Sequence, residues 1–237
     1  MSGYFVTGTG TDIGKTVVTS LLVEYLNVGH RTYFPYKPIQ TGAYEVDGEY
    51  VAPDPEVYKL SMEGALRDKC YTYLLKTASS PHFAAARENI IFDLSMIHRD
   101  INAIKESNDG IIVEGAGGLY VPITEDGYCM IDLMKDLLLP VILVGEAGLG
   151  TINHTVLSIK ALQANDIPIA GVIVNGTNQE NEMLEKDNIK MIERLTNIQV
   201  IGTIPFVQNI ESLLKDKEQR KSLTASWNDQ MIRNHAK

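Results

Sequence analysis

"VTGTGTDIGKT", Val6 to Thr16, is the stretch that decides the fold. It follows a short apolar run, Tyr4–Gly8, and opens a longer run with helical spacing. A strand, a glycine-rich turn and a helix in that order are the context a phosphate-binding loop requires. The common pattern places four residues between its first glycine and Gly-Lys-Ser/Thr. That pattern asks for glycine at position 9, where this chain has Thr9; Gly8 stands one place early and Gly10 one place late. The physics of the site is nevertheless present. Gly8, Gly10 and Gly14 allow unusual backbone angles and close approach of a phosphate. A helix N-terminus adds unpaired N–H groups and partial positive charge. Lys15 can reach outer phosphates, and Thr16 can set its hydroxyl on Mg²⁺. The competing explanation is a plain strand-to-helix turn, and the position at the first such junction favours phosphate.

Working outward, apolar runs alternate with helical ones. The candidate strands are Tyr4–Gly8, Arg31–Tyr36, Gly110–Gly115, Pro140–Glu146, Ile169–Asn175 and Ile198–Ile204. Several are continuously apolar, as strands buried on both faces of a parallel sheet must be. The first helix is expected from Gly14 to Val28, with Val18, Leu21, Leu22 and Tyr25 on one face and Gly29 ending it. "TINHTVLSIKALQAN" and "NEMLEKDNIKMIERLTN" also read as helices. This alternation predicts a doubly wound α/β fold with a mainly parallel sheet flanked by helices. One domain is expected over residues 1–237, with no internal repeat or linker. Residues 42–55 read as a long functional or mobile loop. Residues 215–237 read as a polar tail that forms a peripheral helix or frays.

The bulk properties narrow the function. A formal net charge of -9 repels phosphate backbones, so nucleic-acid binding is not expected. Two distant cysteines, Cys70 and Cys129, make no disulfide framework, and no Cys-x-x-Cys metal spacing occurs. Both read as small core residues without the cationic surroundings of a reactive thiol. The apolar runs are too short to span a bilayer, and no basic region precedes an apolar one at the N-terminus. The expectation is a soluble cytoplasmic protein without a membrane partner.

Three further stretches carry chemistry. Glu114 ends an apolar strand in "IIVEGAGGLYVP", where open α/β sheets place functional groups. Its carboxylate could hold Mg²⁺ or simply close a strand beside a glycine-rich turn; beside a phosphate loop, the metal role is preferred. Lys37, in "YKPIQTG", follows a second strand and could hold an anionic intermediate. Asp54 lies between two prolines and by itself reads as a turn residue.

Taken together, "VTGTGTDIGKT", "YKPIQTG", "SSPHFAAARE", "VEGAGGLYVP" and "GLGTINHT" stand in the order and approximate spacing of dethiobiotin synthases. The resemblance runs from Tyr4 to about Glu211. It implies a fold of the P-loop NTPase type, and it accounts for the misplaced glycine. The family's loop has five residues between its first glycine and Gly-Lys-Thr, and residues 9–13 separate Gly8 from Gly14 here.

The resemblance implies an ATP-dependent cyclo-ligase of biotin biosynthesis, acting on 7,8-diaminononanoate, CO₂ and Mg-ATP. An amine captures CO₂, the carbamate attacks the γ-phosphate, and the second amine closes a ureido ring. Lys15, Lys37 and Thr11 are implied as catalytic, and Thr16, Asp54 and Glu114 as Mg²⁺ ligands. Asp12, Ile13, Gly14, Lys15, Thr16 and Val17 would wrap the phosphates, with Glu114, Gly115, Ala116 and Gly117 near nucleotide and metal. Asn175, Gly176, Pro205, Phe206 and Val207 would form the adenine pocket, with Glu211 nearby. Read without the resemblance, Asn175 is better explained as a strand-end turn residue. Thr11 and Thr41 would contact the carbamate or the diamine end. Gly150, Thr151 and Asn153 of a homodimer partner would receive the substrate carboxylate at a helix N-terminus; ordinary capping by Thr151 or Asn153 is the alternative. A tyrosine that some relatives use there has no counterpart between Asn175 and Lys237. His82 is assigned no chemistry and is expected to make a structural hydrogen bond at a helix start.

Other nucleotide enzymes fit less well. A cobyrinate-type amidoligase needs an ammonia source, and no glutaminase domain can be accommodated. Partitioning and septum-positioning ATPases carry a second lysine at the place occupied here by Gly10. A metal-insertion chaperone would show histidine or cysteine clusters.

Overall fold

The computed structural model describes residues 2–62 and 69–235. In chain order its elements begin β1 (Gly3–Gly8), α1 (Lys15–Leu26), β2 (Tyr33–Tyr36), β3 (Ile39–Gln40), β4 (Tyr44–Val46), β5 (Glu49–Val51), α2 (Pro53–Ser61) and β6 (Tyr73–Leu74). They continue α3 (Pro81–Glu88), α4 (Leu94–Ser107), β7 (Gly110–Gly118), α5 (Met130–Leu137), β8 (Val141–Glu146) and α6 (Thr151–Ala164). The last are β9 (Ile169–Thr177), α7 (Glu182–Thr196), β10 (Val200–Pro205), α8 (Ile210–Leu214), α9 (Lys217–Leu223) and α10 (Asp229–His235).

Among the described residues, six strands form one parallel sheet in the order β10-β9-β8-β1-β7-β2. All six candidate strands are in it, with ends shifted by a few residues. The chain winds from β1 out to β2, returns to β7, then crosses β1 to β8, so the order reverses around β1. Such a reversal opens a crevice at the carboxyl ends of the strands.

The continuous apolar runs are explained by two cores. Phe5, Ile111, Val113, Val141 and Leu143 point to one face, covered by α4, α5, α6 and α7. Tyr4, Val6, Ile112, Ile142 and Val144 point to the other, covered by α1 and by α8 to α10. Because successive strand residues alternate faces, both faces being apolar leaves few polar positions along the strands, Thr7 of β1 and Glu114 of β7 among them. No helix among the described residues is long and apolar enough to cross a membrane.

Three expectations need correction. Residues 42–55, expected as a long functional or mobile loop, carry regular structure, and Pro53 and Asp54 at their end line the cavity of the candidate active site. They contain the antiparallel hairpin β4–β5 and the first turn of α2. Pro53 is preorganised for a helix start, and Asp54 and Glu56 suit its positive end, so Asp54 is a helix residue and not a turn residue. The tail is helical, as one of the two expectations has it, in α9 and α10, but it is not peripheral. Leu223, Trp227 and Ile232 are buried in the second core, and the buried Arg220 guanidinium pairs with Glu24 of α1 at 2.6 Å; residues 236 and 237 lie outside the described residues. Finally, α1 stops at Leu26, with Asn27 at its cap, and Gly29 falls in the turn beyond. The Asn27 side chain bonds the backbone of Tyr33 in both directions, which ends the helix early.

Candidate active site

The sheet register assembles the site. In the β2–β7 pair Tyr36 lies opposite Val113, so the next residues, Lys37 and Glu114, emerge side by side. On the other side of β7, Val6 of β1 lies opposite Glu114, and the phosphate loop begins two residues later. Three neighbouring strands thus deliver an ammonium, a carboxylate and a glycine-rich loop to one edge.

The loop's unusual spacing has a physical basis. A Cβ on Gly8 would lie 2.2 Å from the Ile13 side chain, which folds back under the loop and is itself buried. Gly14 has φ +90, and a Cβ there would lie 2.1 Å from Asn175 Nδ2. Gly10 has neither a left-handed backbone nor a close neighbour, so it is not required for the reason expected; it contributes its carbonyl. Lys15 Nζ donates to that carbonyl at 2.6 Å. Burial, and then the charge of Lys37, lower the Lys15 pKa to about 8. Helix α1 starts without a side-chain cap at Gly14, which leaves its leading N–H groups available for an anion.

Lys37 is the hub. Its Nζ lies 2.7 Å from Asp54 Oδ2 and 2.8 Å from Glu114 Oε1, and it donates to the Gly115 carbonyl at 3.1 Å. Burial alone would draw a lysine downward; Glu114 and Asp54 outweigh it and hold the ammonium above the ordinary lysine range. Thr16 Oγ1 donates to the same Glu114 oxygen at 2.9 Å. Tyr58 donates to the other, Oε2, at 2.6 Å. Burial and the Glu114 charge push the Tyr58 hydroxyl well above its usual pKa.

These groups face a cavity of about 470 Å³. It brings together Thr11, Asp12, Gly14, Lys15, Thr16, Lys37, Thr41, Asp54, Glu114, Ala116 and Gly117, all named from the sequence. It adds Gln40 and Pro53. Gln40 Oε1 accepts from the backbone N–H of Asp54 at 3.3 Å, fixing the start of α2 against β3. The donor set fits a hard cation. Two carboxylates and a hydroxyl converge where a cationic group, Lys37, already sits, and Mg²⁺ keeps several waters rather than needing a full protein cage. No group of three or more His, Cys, Asp or Glu side chains suited to a metal occurs among the described residues.

The remaining named residues do not line this cavity. In the β9–β10 pair Ile204 lies opposite Asn175 and Pro205 opposite Thr177, which gathers Asn175, Gly176, Pro205, Phe206 and Val207 at one edge. Asn175 Nδ2 donates to the Ile13 carbonyl at 3.0 Å, tying that edge to the phosphate loop. Phe206 is 69% exposed, an open apolar ring beside the loop edge. Glu211 is exposed in α8, and Val17 is half-buried in the first turn of α1. Gly150, Thr151 and Asn153 begin α6 and do not line the cavity. Neither side chain caps that helix, and the buried Thr151 Oγ1 has no hydrogen-bond partner. His82 Nδ1 is likewise buried without a partner, so the expected structural bond from its ring is not made there; its backbone N–H donates to the Pro122 carbonyl at 3.3 Å. Cys70 is buried, whereas Cys129 is only half-buried and caps α5.

Comparison with known proteins places this geometry. The sequence model of a family described as "AAA domain" matches residues 2–212. The ATP-dependent dethiobiotin synthetase BioD of Halalkalibacterium halodurans is 43% identical over 94% of this chain and 93% of its own length. The chain belongs to the dethiobiotin synthetase family. The family proteins from Anoxybacillus flavithermus, 40% identical, and Fusobacterium nucleatum subsp. nucleatum, 38% identical, cover 88% and 92% of this chain and 94% and 96% of their own. Among solved structures, a chain of the MinC:MinD cell division protein complex of Aquifex aeolicus superposes with a TM-score of 0.57 at 14% identity, covering 100% of this chain and 94% of its own. A ParA family ATPase from Chlorobium tepidum TLS gives 0.55 at 12% identity, covering 99% and 97%. At those identities the likeness is one of fold: this dethiobiotin synthetase family member has the P-loop NTPase architecture.

Proposed function

We propose that the chain is a Mg²⁺- and ATP-dependent cyclo-ligase that makes dethiobiotin from 7,8-diaminononanoate and CO₂, in biotin biosynthesis. The observation that carries this reading is Lys37. A second buried lysine stands beside the phosphate-loop lysine, between two carboxylates, in a chain 43% identical to an ATP-dependent dethiobiotin synthetase.

The chemistry gives each residue a task. One amine adds to CO₂, forming an N–C bond and losing a proton, to give a carbamate. A carbamate oxygen attacks the γ-phosphorus; the bond to ADP breaks and a carbamic–phosphoric anhydride forms. The second amine attacks the anhydride's carbonyl, phosphate leaves with the carbamate oxygen, and the ring closes. The second step brings two anions together, so positioning and cationic groups supply most of the acceleration. Lys15 and Lys37 bind the γ-phosphate and carbamate, and Thr11 and Thr41 orient the carbamate and diamine. To do so Lys37 turns away from Asp54 and Glu114, which with Thr16 would hold Mg²⁺. A divalent cation there offsets phosphate charge. Asp12 to Val17 and Glu114 to Gly117 cradle the triphosphate. Asn175, Gly176, Pro205, Phe206, Val207 and Glu211 take the adenine.

The substrate's far carboxylate is received by Gly150, Thr151 and Asn153 of a second copy, in a homodimer. Their place outside one chain's cavity and the uncapped start of α6 support this arrangement. The test is incubation with the diamine, bicarbonate and Mg-ATP: dethiobiotin and ADP form in equal amounts. ADP formation without dethiobiotin rejects the reading.

A further inference from the structure

Tyr58 does not line the cavity, and no step of the proposed reaction uses it. It is fully buried and lies one helical turn after Asp54 in α2. Residues four apart share a helix face, so α2 presents Asp54 and Tyr58 together to the Lys37–Glu114 pair. The two oxygens of Glu114 then have separate partners. Oε1 accepts from Thr16 at 2.9 Å and Lys37 at 2.8 Å, on the cavity side. Oε2 accepts from Tyr58 at 2.6 Å, on the core side. The Tyr58 ring is packed in a small apolar cluster with Phe34 and Cys70, which fixes the hydroxyl's direction. A short bond from a neutral hydroxyl to a carboxylate is charge-assisted and directional.

We propose that Tyr58 is a positioning residue: its hydroxyl holds Oε2 of Glu114 so that Oε1 is aimed at Thr16 and the cation that accompanies the nucleotide. This inference rests on the reading of Glu114 as a cation ligand. Outer partners that orient a ligating carboxylate set the affinity of a metal site without touching the metal. Helix α2 thereby supplies both a ligand, Asp54, and the support for another, Glu114. The sequence carried this signal as the spacing from Asp54 to Tyr58, visible once residues 53–61 are read as a helix.

The test is Tyr58→Phe, which deletes one oxygen and keeps the ring. Mn²⁺ binding in the presence of a non-hydrolysable ATP analogue, followed by electron paramagnetic resonance, reads the site without turnover. Mn²⁺ affinity is expected to fall about 10- to 100-fold. A purely structural tyrosine would lower the melting temperature of the metal-free protein and leave Mn²⁺ affinity where it was. Mn²⁺ binding within about twofold of the parent protein therefore overturns the proposal. Glu114→Gln is measured alongside. If it binds Mn²⁺ as the parent does, the cation site is misassigned and the role of Tyr58 falls with it. If Glu114→Gln loses Mn²⁺ and Tyr58→Phe does not, only the role of Tyr58 is rejected.

Discussion

Lys37→Met removes the one ammonium that joins Asp54 to Glu114 while keeping most of the side chain's volume. The Glu114 side chain is 0% exposed and that of Asp54 is 23% exposed, so little water is at hand to replace the lost charge. Removing one partner from a buried ion pair leaves an uncompensated charge and costs about 3–5 kcal/mol. At about 2–4 °C per kcal/mol for a protein of this size, the metal-free variant should melt roughly 6 to 20 °C below the parent. Saturating Mg²⁺ should restore part of that loss, because a cation at Thr16, Asp54 and Glu114 binds only the folded state. Without the lysine as competitor, Mg²⁺ should act at lower concentration than in the parent. Ring formation should disappear while nucleotide binding persists. The assay is thermal unfolding with and without Mg²⁺, beside product formation. Equal melting temperatures for variant and parent without metal would refute the buried ion cluster, and wild-type product formation would refute the catalytic role.

Other perturbations test separate links. Gly14→Ala forces a side chain into φ +90 and against the Asn175 amide, a strain of about 1–2 kcal/mol before any displacement; calorimetry with an ATP analogue should show weakened binding, and unchanged binding would contradict the loop geometry. Trp227→Ala should cost about 3–5 kcal/mol in urea unfolding, since the ring is buried between Tyr25 and the sheet; a loss below about 1 kcal/mol would mean that the tail is not part of the core. Burial pushes the Cys70 thiol up to about 12; burial and then Asp132 also raise Cys129, but that residue is only half-buried, so a thiol reagent should titrate Cys129 first, one cysteine per folded chain, and both after unfolding.

The central sheet was legible because strands buried on both faces are apolar at every position, and Gly110–Gly115 or Pro140–Glu146 admit few other readings. The cavity was legible in part for a related reason: Lys37 and the phosphate loop follow strands, Glu114 is the last β7 residue paired in step with β1, and such positions meet at one edge; Thr11, Thr41 and Asp54 are named only through the family resemblance. What escaped did so for physical reasons. Residues 42–55 form a short hairpin whose strands, Tyr44–Val46 and Glu49–Val51, are half polar and mostly exposed, so no periodicity marks them. The tail's buried residues, Leu223, Trp227 and Ile232, are few and form no continuous apolar run, and nothing local announces that α1 offers them a surface. Tyr58 is hidden in the sequence because Asp54, between two prolines, reads as a turn residue, and a turn sets no side chain one helical turn away on the same face. Gly29 suits a helix end, but the Asn27 side chain stops α1 first.

The most direct test of the central claim follows an oxygen atom. In the proposed reaction the carbamate oxygen that attacks ATP leaves as part of the released phosphate. With ¹⁸O-labelled CO₂ in ordinary water, sampled before the label exchanges with solvent, phosphate formed together with dethiobiotin should carry one labelled oxygen. Unlabelled phosphate accompanying ring closure would contradict attack by the carbamate and with it the roles assigned to Lys15 and Lys37.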